Sequence, residues 1–260
     1  MSLTPPRAKK SLGQNFLRDL NLARKIVQTL RLGPMDQVVE IGPGPGILTG
    51  LLLEAAPSSL TLMEKDPYWA EIRRLEAAAQ EAARVKVMEG DALEQDWSAY
   101  TFPCKIVGNL PYNIASPLMW EVLSRASGLE RAVFMVQKEV GLRITAAPSS
   151  RAYGALSVWI RNFCRPCLEF TVPPHVFIPR PKVWSAVLSF DPMPLAERPQ
   201  NPEKLAHLLK IFFQQRRKQM GVIWRKNGYE TAVLECCGIN PAARPEEIAP
   251  EVYKKLADIF

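Results

Sequence analysis

The chain has 260 residues, 47% hydrophobic and 23% charged, which is enough apolar material for a sizeable core and excludes a disordered or fibrous protein. Its formal net charge of +7 suggests a polyanionic partner without identifying one. The excess lies at the two ends: residues 1–25 carry six Lys/Arg against Asp19 alone, residues 192–260 carry eleven against eight acids, and the middle balances at −1.

A solubilising surface charge accounts for many such patches, but two basic ends around a neutral middle fit nucleic acid better. The N-terminal arm contains Lys9 and Lys10 and no apolar run of the kind a signal peptide needs. No stretch approaches the roughly 18 apolar residues of a membrane span. With five cysteines, an odd number, these features predict a reduced, soluble, cytoplasmic protein.

Beyond the arm, short apolar runs at Val38–Ile41, Ser59–Glu64, Val85–Glu89, Cys104–Gly108 and Arg131–Gln137 read as buried strands. Amphipathic stretches between them, Ile47–Ala55, Tyr68–Glu81 and Ser116–Ser124, read as helices. The alternation predicts a parallel sheet with helices on both faces. Later, Leu168–Val172 and Trp184–Phe190 read as an antiparallel pair closing the sheet edge. Cys164-Arg-Pro-Cys167 has the spacing of a redox or zinc pair, but it lacks a second pair and precedes a strand, so no metal is expected. His175 and His207 stand alone and are read as neither catalytic nor metal-binding. Prolines 192, 194, 199 and 202 form a hinge, and no proline follows until Pro241. The reading is therefore a sheet domain at 1–191 and a small, all-helical domain at 192–260.

Four motifs carry chemistry. Glu40-Ile-Gly-Pro-Gly-Pro-Gly46 follows the first strand, and Gly42, Gly44 and Gly46 let backbone approach a ligand at the carboxyl end of the sheet. A dinucleotide loop needs its third glycine at position 47, which is Ile47. Glu64 ends the second strand, where an acid can accept both hydroxyls of a ribose; a helix cap is the plainer alternative. Asp91 and Ala92, in Gly-Asp-Ala after the third strand, suit an adenine, or a simple turn. In that order the three describe a pocket for S-adenosyl-L-methionine.

The fourth motif, Asn109-Leu110-Pro111-Tyr112, follows the fourth strand. An adenine amine is a poor nucleophile because its lone pair is delocalised into the ring. Two acceptors, the Asn109 side chain and the Leu110 or Pro111 carbonyl, can hold its protons and draw the nitrogen towards tetrahedral geometry. Tyr112 can stack on an extruded base, which is worth roughly 1–3 kcal/mol against a flipping cost of a few.

These motifs, with AKKSLGQNFL (Ala8–Leu17), MEKD (Met63–Asp66), VGNLPYNIASPL (Val107–Leu118), VQKEV (Val136–Val140), YGALSV (Tyr153–Val158), the Val172–Leu188 stretch and FQQRRK (Phe213–Lys218), resemble the ribosomal RNA adenine N6,N6-dimethyltransferase family over nearly the whole chain. The resemblance implies a Rossmann-like class I S-adenosylmethionine-dependent methyltransferase sheet. It implies dimethylation of two adjacent adenosines near the 3′ end of 16S rRNA, within the small ribosomal subunit. It also implies that Asn15 and Leu17 close over the cofactor and Gly42 faces its methionine part. Glu64 would hold the ribose, Asp91 the adenine, and Asn109 the target amine. Phe177 would clamp the flipped base against Tyr112, although as sequence alone it reads as a core aromatic. Arg216, Arg217 and Lys218 are expected to form a basic helix face on RNA, or a merely solvated one. A macrolide-resistance methyltransferase of 23S rRNA and an assembly factor without catalysis are the competing readings. Pro43, Pro45, Leu110 and FQQRRK disfavour the first, and the intact motifs disfavour the second. A monomer is the simpler expectation.

Overall fold

The computed structural model describes residues 8–79 and 84–260, which form two compact units. Among the described residues, the first runs to Gly141 and adds Cys167–Phe190, and the second comprises Leu142–Pro166 and Asp191–Phe260. The second unit is discontinuous. Residues 142–166, which the proline pattern leaves with the sheet, cluster with the C-terminal helices.

The chain begins with β1 (Phe16–Leu17) and α1 (Leu20–Thr29). Helix α1 starts where the Asp19 carboxylate accepts the Leu22 N–H at 2.9 Å, and it buries Ala23, Ile26 and Val27 on one side. There follow β2 (Gln37–Ile41), α2 (Ile47–Glu54), β3 (Ser59–Glu64), α3 (Pro67–Ala79), β4 (Val85–Glu89), β5 (Cys104–Asn109), α4 (Ala115–Arg125) and β6 (Leu129–Gln137). The expected end of α3 at Glu81 lies outside the described residues. Next come α5 (Lys138–Ile144), α6 (Ala155–Phe163), β7 (Cys164–Val172), β8 (Phe177–Ile178) and β9 (Ser185–Pro192). Helices α7 (Pro202–Gln214), α8 (Met220–Lys226), α9 (Ala232–Cys236) and α10 (Pro250–Ile259) complete the chain.

The seven-stranded sheet has the order β4-β3-β2-β5-β6-β9-β7. Strands β2 to β6 pair in parallel, and β9 runs antiparallel to β6 with Gln137 opposite Ser185. The order reverses between β2 and β5. This is a doubly wound sheet, in which ligands settle at the carboxyl ends of the strands near the reversal. Ile26 of α1, Leu30 at its C-terminal end, and Leu48 and Leu52 of α2 share a core with Val38, Leu60, Val107 and Val133 of the sheet. Burying one such aliphatic side chain stabilises by about 1.5–3 kcal/mol.

One sequence expectation is corrected here, and one pairing is added. Strand β7 starts at Cys164, four residues earlier than Leu168, so the cysteine pair lies inside a strand rather than ahead of one. Residues three apart in a strand point to opposite faces, and accordingly Cys164 is buried while Cys167 is exposed. A separate ribbon also joins β1 to β8, with Phe16 opposite Ile178 and Leu17 opposite Phe177. Two-residue strands leave no periodicity to read.

In the helical unit, Phe212 stacks on Trp224 at 5.8 Å and meets Tyr253 edge-on. Buried polar groups there are satisfied internally: the Tyr253 hydroxyl donates to the Pro245 carbonyl at 2.8 Å, and that of Tyr153 to Ile248 at 2.8 Å. No helix among the described residues is long and apolar enough to cross a membrane.

Candidate active site

At the carboxyl ends of β2 to β5 the sheet opens into a cleft with about 880 Å³ of empty space, mouth included. Its floor is Gly42, Gly44, Glu64, Asp91 and Ala92, one side is Asn109 to Ile114, and the lip is Ser11 to Phe16 of the N-terminal arm.

The floor is held by hydrogen bonds that converge on three consecutive residues. Glu64 accepts the Gly44 N–H at 3.0 Å on one oxygen and the Asp66 N–H at 2.8 Å on the other. Lys65 donates to Asp91 at 2.5 Å. Asp66, buried at the start of α3, accepts Lys9 Nζ at 2.7 Å and Gln14 Nε2 at 3.0 Å, tying the arm down. Each residue of Glu64-Lys65-Asp66 therefore clamps a different wall.

The charges respond to these surroundings. Burial raises the Glu64 carboxyl against the pull of its two N–H donors. Burial also opposes ionisation of Asp91 and Asp66, but Lys65 and the Leu93 N–H outweigh it at Asp91, as Lys9 and Gln14 do at Asp66. Both are held below the usual carboxylate range. Beneath the glycine loop, burial pushes Glu40 up to about 7, although the Thr49 hydroxyl donates to it at 2.7 Å and Arg73 lies nearby.

Two glycines of the loop serve different ends. Gly42 has φ +69°, and a Cβ there would enter open space within the cleft. At Gly46, φ +89°, a Cβ would stand 1.9 Å from Arg73 Nη1. Gly46 thus makes room for a protein side chain and does not line the cleft. Arg73 is buried, pairs with Glu76 at 2.7 Å, and its Nε has no hydrogen-bond partner among the described residues.

The Asn109 loop is equally determined. Asn109 Nδ2 donates to the Asn15 carbonyl at 2.8 Å, and Oδ1 has no hydrogen-bond partner among the described residues. The Pro111 carbonyl accepts the N–H groups of Ile114 and Ala115, both at 3.1 Å. Of the two carbonyls the sequence allows as second acceptor, Leu110 is therefore the one not committed to that turn. The Tyr112 hydroxyl shares a 2.7 Å hydrogen bond with Ser185 Oγ, fixing the ring at the side of the cleft nearer β9.

Several sequence-predicted residues lie elsewhere. Leu17 is 4% exposed and Phe177 2%; they face each other across the β1–β8 ribbon and belong to the core, outside the cleft lining. Lys9 spends its charge on Asp66, and the side chain of Lys10 lies outside the described residues. Residues 215–218 form a turn after α7 rather than a helix face, because the helix ends at Gln214. Within that turn Arg216 is paired with Glu246 and donates to the Arg151 carbonyl at 2.8 Å, while Arg217 and Lys218 are exposed. Sequence reasoning missed Lys65 and Asp66 as organisers, although the run Glu-Lys-Asp after a strand was a visible signal. It also gave no role to Glu40, although the glycine motif opens on it, and it missed Arg73, which nothing in the linear pattern marks.

Residues 6–260 match the model of the family described as ribosomal RNA adenine dimethylase. Over 260 residues the chain is 53% identical to the ribosomal RNA small subunit methyltransferase A of Nitratidesulfovibrio vulgaris (strain DP4), covering 98% of this chain and 97% of that protein. It is 54% identical to the protein of the same name from Oleidesulfovibrio alaskensis, covering 98% and 92%. A solved dimethyladenosine transferase from Plasmodium falciparum has the same fold, with a TM-score of 0.80 at 24% identity over 93% of this chain and 95% of that one. The sheet is a Rossmann-like class I methyltransferase sheet. Matched by the family model to its last residue, and more than half identical to near-full-length relatives, the chain belongs to the ribosomal RNA adenine dimethylase family and is an enzyme of that kind.

Proposed function

We propose that this enzyme transfers methyl groups from S-adenosyl-L-methionine to the N6 amines of two adjacent adenosines near the 3′ end of 16S rRNA in the small ribosomal subunit. The observation that carries the chemistry is the fixed Asn109 amide. A carbonyl partner at Asn15 requires the NH₂ end of Asn109, so the oxygen is the end left for an incoming amine. The small-subunit target is supported by the names of the two bacterial relatives.

The cleft residues fit the cofactor. Gly42 leaves the space its Cβ would fill, and each Glu64 oxygen has bonding capacity beyond its one N–H, as two ribose hydroxyls require. Asp91, kept ionised by Lys65, suits an adenine amine. The bound cofactor supplies an electrophilic methyl group on a sulfonium sulfur.

Asn109 Oδ1 and the Leu110 carbonyl hold the two N–H groups of the target amine and localise its lone pair. Tyr112, oriented by Ser185, stacks on the base and offsets part of its flipping cost. The N–H proton becomes acidic only after the methyl has joined the nitrogen, so no strong base is needed at the start. Catalysis rests on positioning. In the helical unit we assign Arg217 and Lys218 to phosphate contacts, with Arg216 bracing their turn.

The test is incubation with labelled S-adenosylmethionine and small subunits lacking the modification. Label in two adjacent adenosines of the small-subunit RNA is the expected result. Label confined to large-subunit RNA overturns the proposal in favour of the macrolide-resistance reading. Tight subunit binding with no label supports an assembly factor.

A further inference from the structure

Cofactor-binding groups occupy the ends of β2, β3 and β4, on one side of the Asn109 loop. The sheet continues on the other side, through β6 and β9. Asn109 lies opposite Met135, and two residues further on Gln137 lies opposite Ser185. The first residues past that pair are Lys138 and Trp184, joined by the Lys138 N–H donating to the Trp184 carbonyl at 2.9 Å. They adjoin Ser185, whose hydroxyl is bonded to that of Tyr112.

Trp184 is out of place for a structural residue. Strand alternation turns Ser185 inward, fully buried and bonded to Tyr112, and turns Trp184 outward with 49% of its surface exposed. Lys138 Nζ lies 5.8 Å from the indole centroid, within cation–π range. The connection from β8 adds exposed Arg180 and Lys182, with Val183 and Ile178 also exposed at 43% and 50%. Glu139 is the acid beside Lys138. One cation over a half-exposed aromatic face, with two more exposed cations on the adjoining connection, matches a partner with both phosphates and π faces. A protein surface offers that combination poorly, and a single-stranded nucleic acid offers it at every nucleotide.

We propose that Trp184, with Lys138, Arg180 and Lys182, is a stacking platform that takes an unpaired base flanking the target adenosine and so helps to select the RNA segment. The proposal rests on the reading of the protein as an RNA adenosine methyltransferase. Trp184 contacts neither the cofactor nor the reacting amine; it positions the strand.

The test measures binding of labelled single-stranded oligoadenylate and of unmodified small subunits, together with cofactor affinity. Trp184→Ala is expected to weaken oligoadenylate binding about tenfold, with Trp184→Phe within about threefold of wild type and cofactor affinity unchanged. Replacing Arg180 and Lys182 together by Ala should reduce the slope of log K against log salt by about 1.4, the value for two lost single-strand phosphate contacts. Unchanged oligoadenylate binding in Trp184→Ala overturns the platform. So does a loss that Trp184→Phe does not rescue, which marks a structural role. Weakened subunit binding with intact oligoadenylate binding assigns the patch to a ribosomal protein and also overturns it. Label transfer by the wild-type enzyme is scored in the same preparations, so failure of the parent reading is seen separately.

Discussion

The floor of the cleft and the rim beyond Tyr112 flank the same loop, yet they are held in different ways. On the floor, charged groups are matched to one another: Lys65 to Asp91, Lys9 to Asp66, and Glu64 to two backbone N–H groups. On the rim, Arg180, Lys182 and Trp184 stand in solvent. A small ligand that must be held in one pose benefits from walls already fixed, because little ordering is left to do on binding. A large folded RNA brings its own shape and charge, so the rim can keep its donors and its aromatic face uncommitted. The Asn109 loop lies between them, with one amide end tied to the arm and the other proposed to meet the target amine.

Removing the shared residue should have the largest effect. Asn109→Ala is expected to lower methyl transfer about a thousandfold, roughly 4 kcal/mol, while cofactor affinity measured by equilibrium dialysis falls less than tenfold. A parallel loss of both would place Asn109 on the floor alone.

The buried carboxyl under the loop comes next. Glu40 is raised to about 7 by burial, so between its unfolded value of 4.5 and about 7 the folded protein holds a proton that the unfolded chain has lost. Its contribution to stability is full below 4.5 and is lost as pH rises through 7. Glu40→Gln should therefore gain about 2–3 kcal/mol relative to wild type between pH 5 and pH 8 in urea melts. A constant difference across that range would mean Glu40 titrates normally.

The two glycines separate fold from ligand. Gly46→Ala is expected to destabilise by about 2 kcal/mol, through the strained φ and displacement of Arg73. Gly42→Ala should cost only about 1 kcal/mol of strain but also lower cofactor affinity, since its Cβ enters the cleft. Equal effects of the two on thermal unfolding and on cofactor binding would remove the distinction. The smallest effect is expected from Asp66→Asn, which leaves a group that can cap α3 but weakens the arm's latch. Cofactor affinity should fall about threefold, and trypsin should cut after Lys9 more readily in the presence of cofactor. Unchanged protection would show that the β1–β8 ribbon alone holds the arm.

The sheet was legible because each of its parallel strands is a short apolar run bounded by turn residues, and the pocket because its residues follow strand ends in order. Gly42, Glu64, Asp91 and Asn109 accordingly meet in one cleft. What escaped were features set by tertiary partners. The ribbon of Phe16–Leu17 with Phe177–Ile178 is too short to show a period, and it buries two side chains the motifs place at the ligand. The turn at 215–218 carries the charge of a basic helix face, but Arg216 is drawn to Glu246, thirty positions away in sequence. Glycine 46 looked like its neighbours in the loop, and only the buried Arg73 reveals its different purpose.

The central claim is that the cleft and the Asn109 loop together dimethylate adenosines of small-subunit RNA. Mass spectrometry of nucleosides from unmodified small subunits treated with the wild-type enzyme and S-adenosylmethionine tests it most directly. The account predicts N6,N6-dimethyladenosine at two adjacent positions near the 3′ end, absent after treatment with Asn109→Ala. Methyl groups on any other atom, or an Asn109→Ala enzyme as active as wild type, would contradict it.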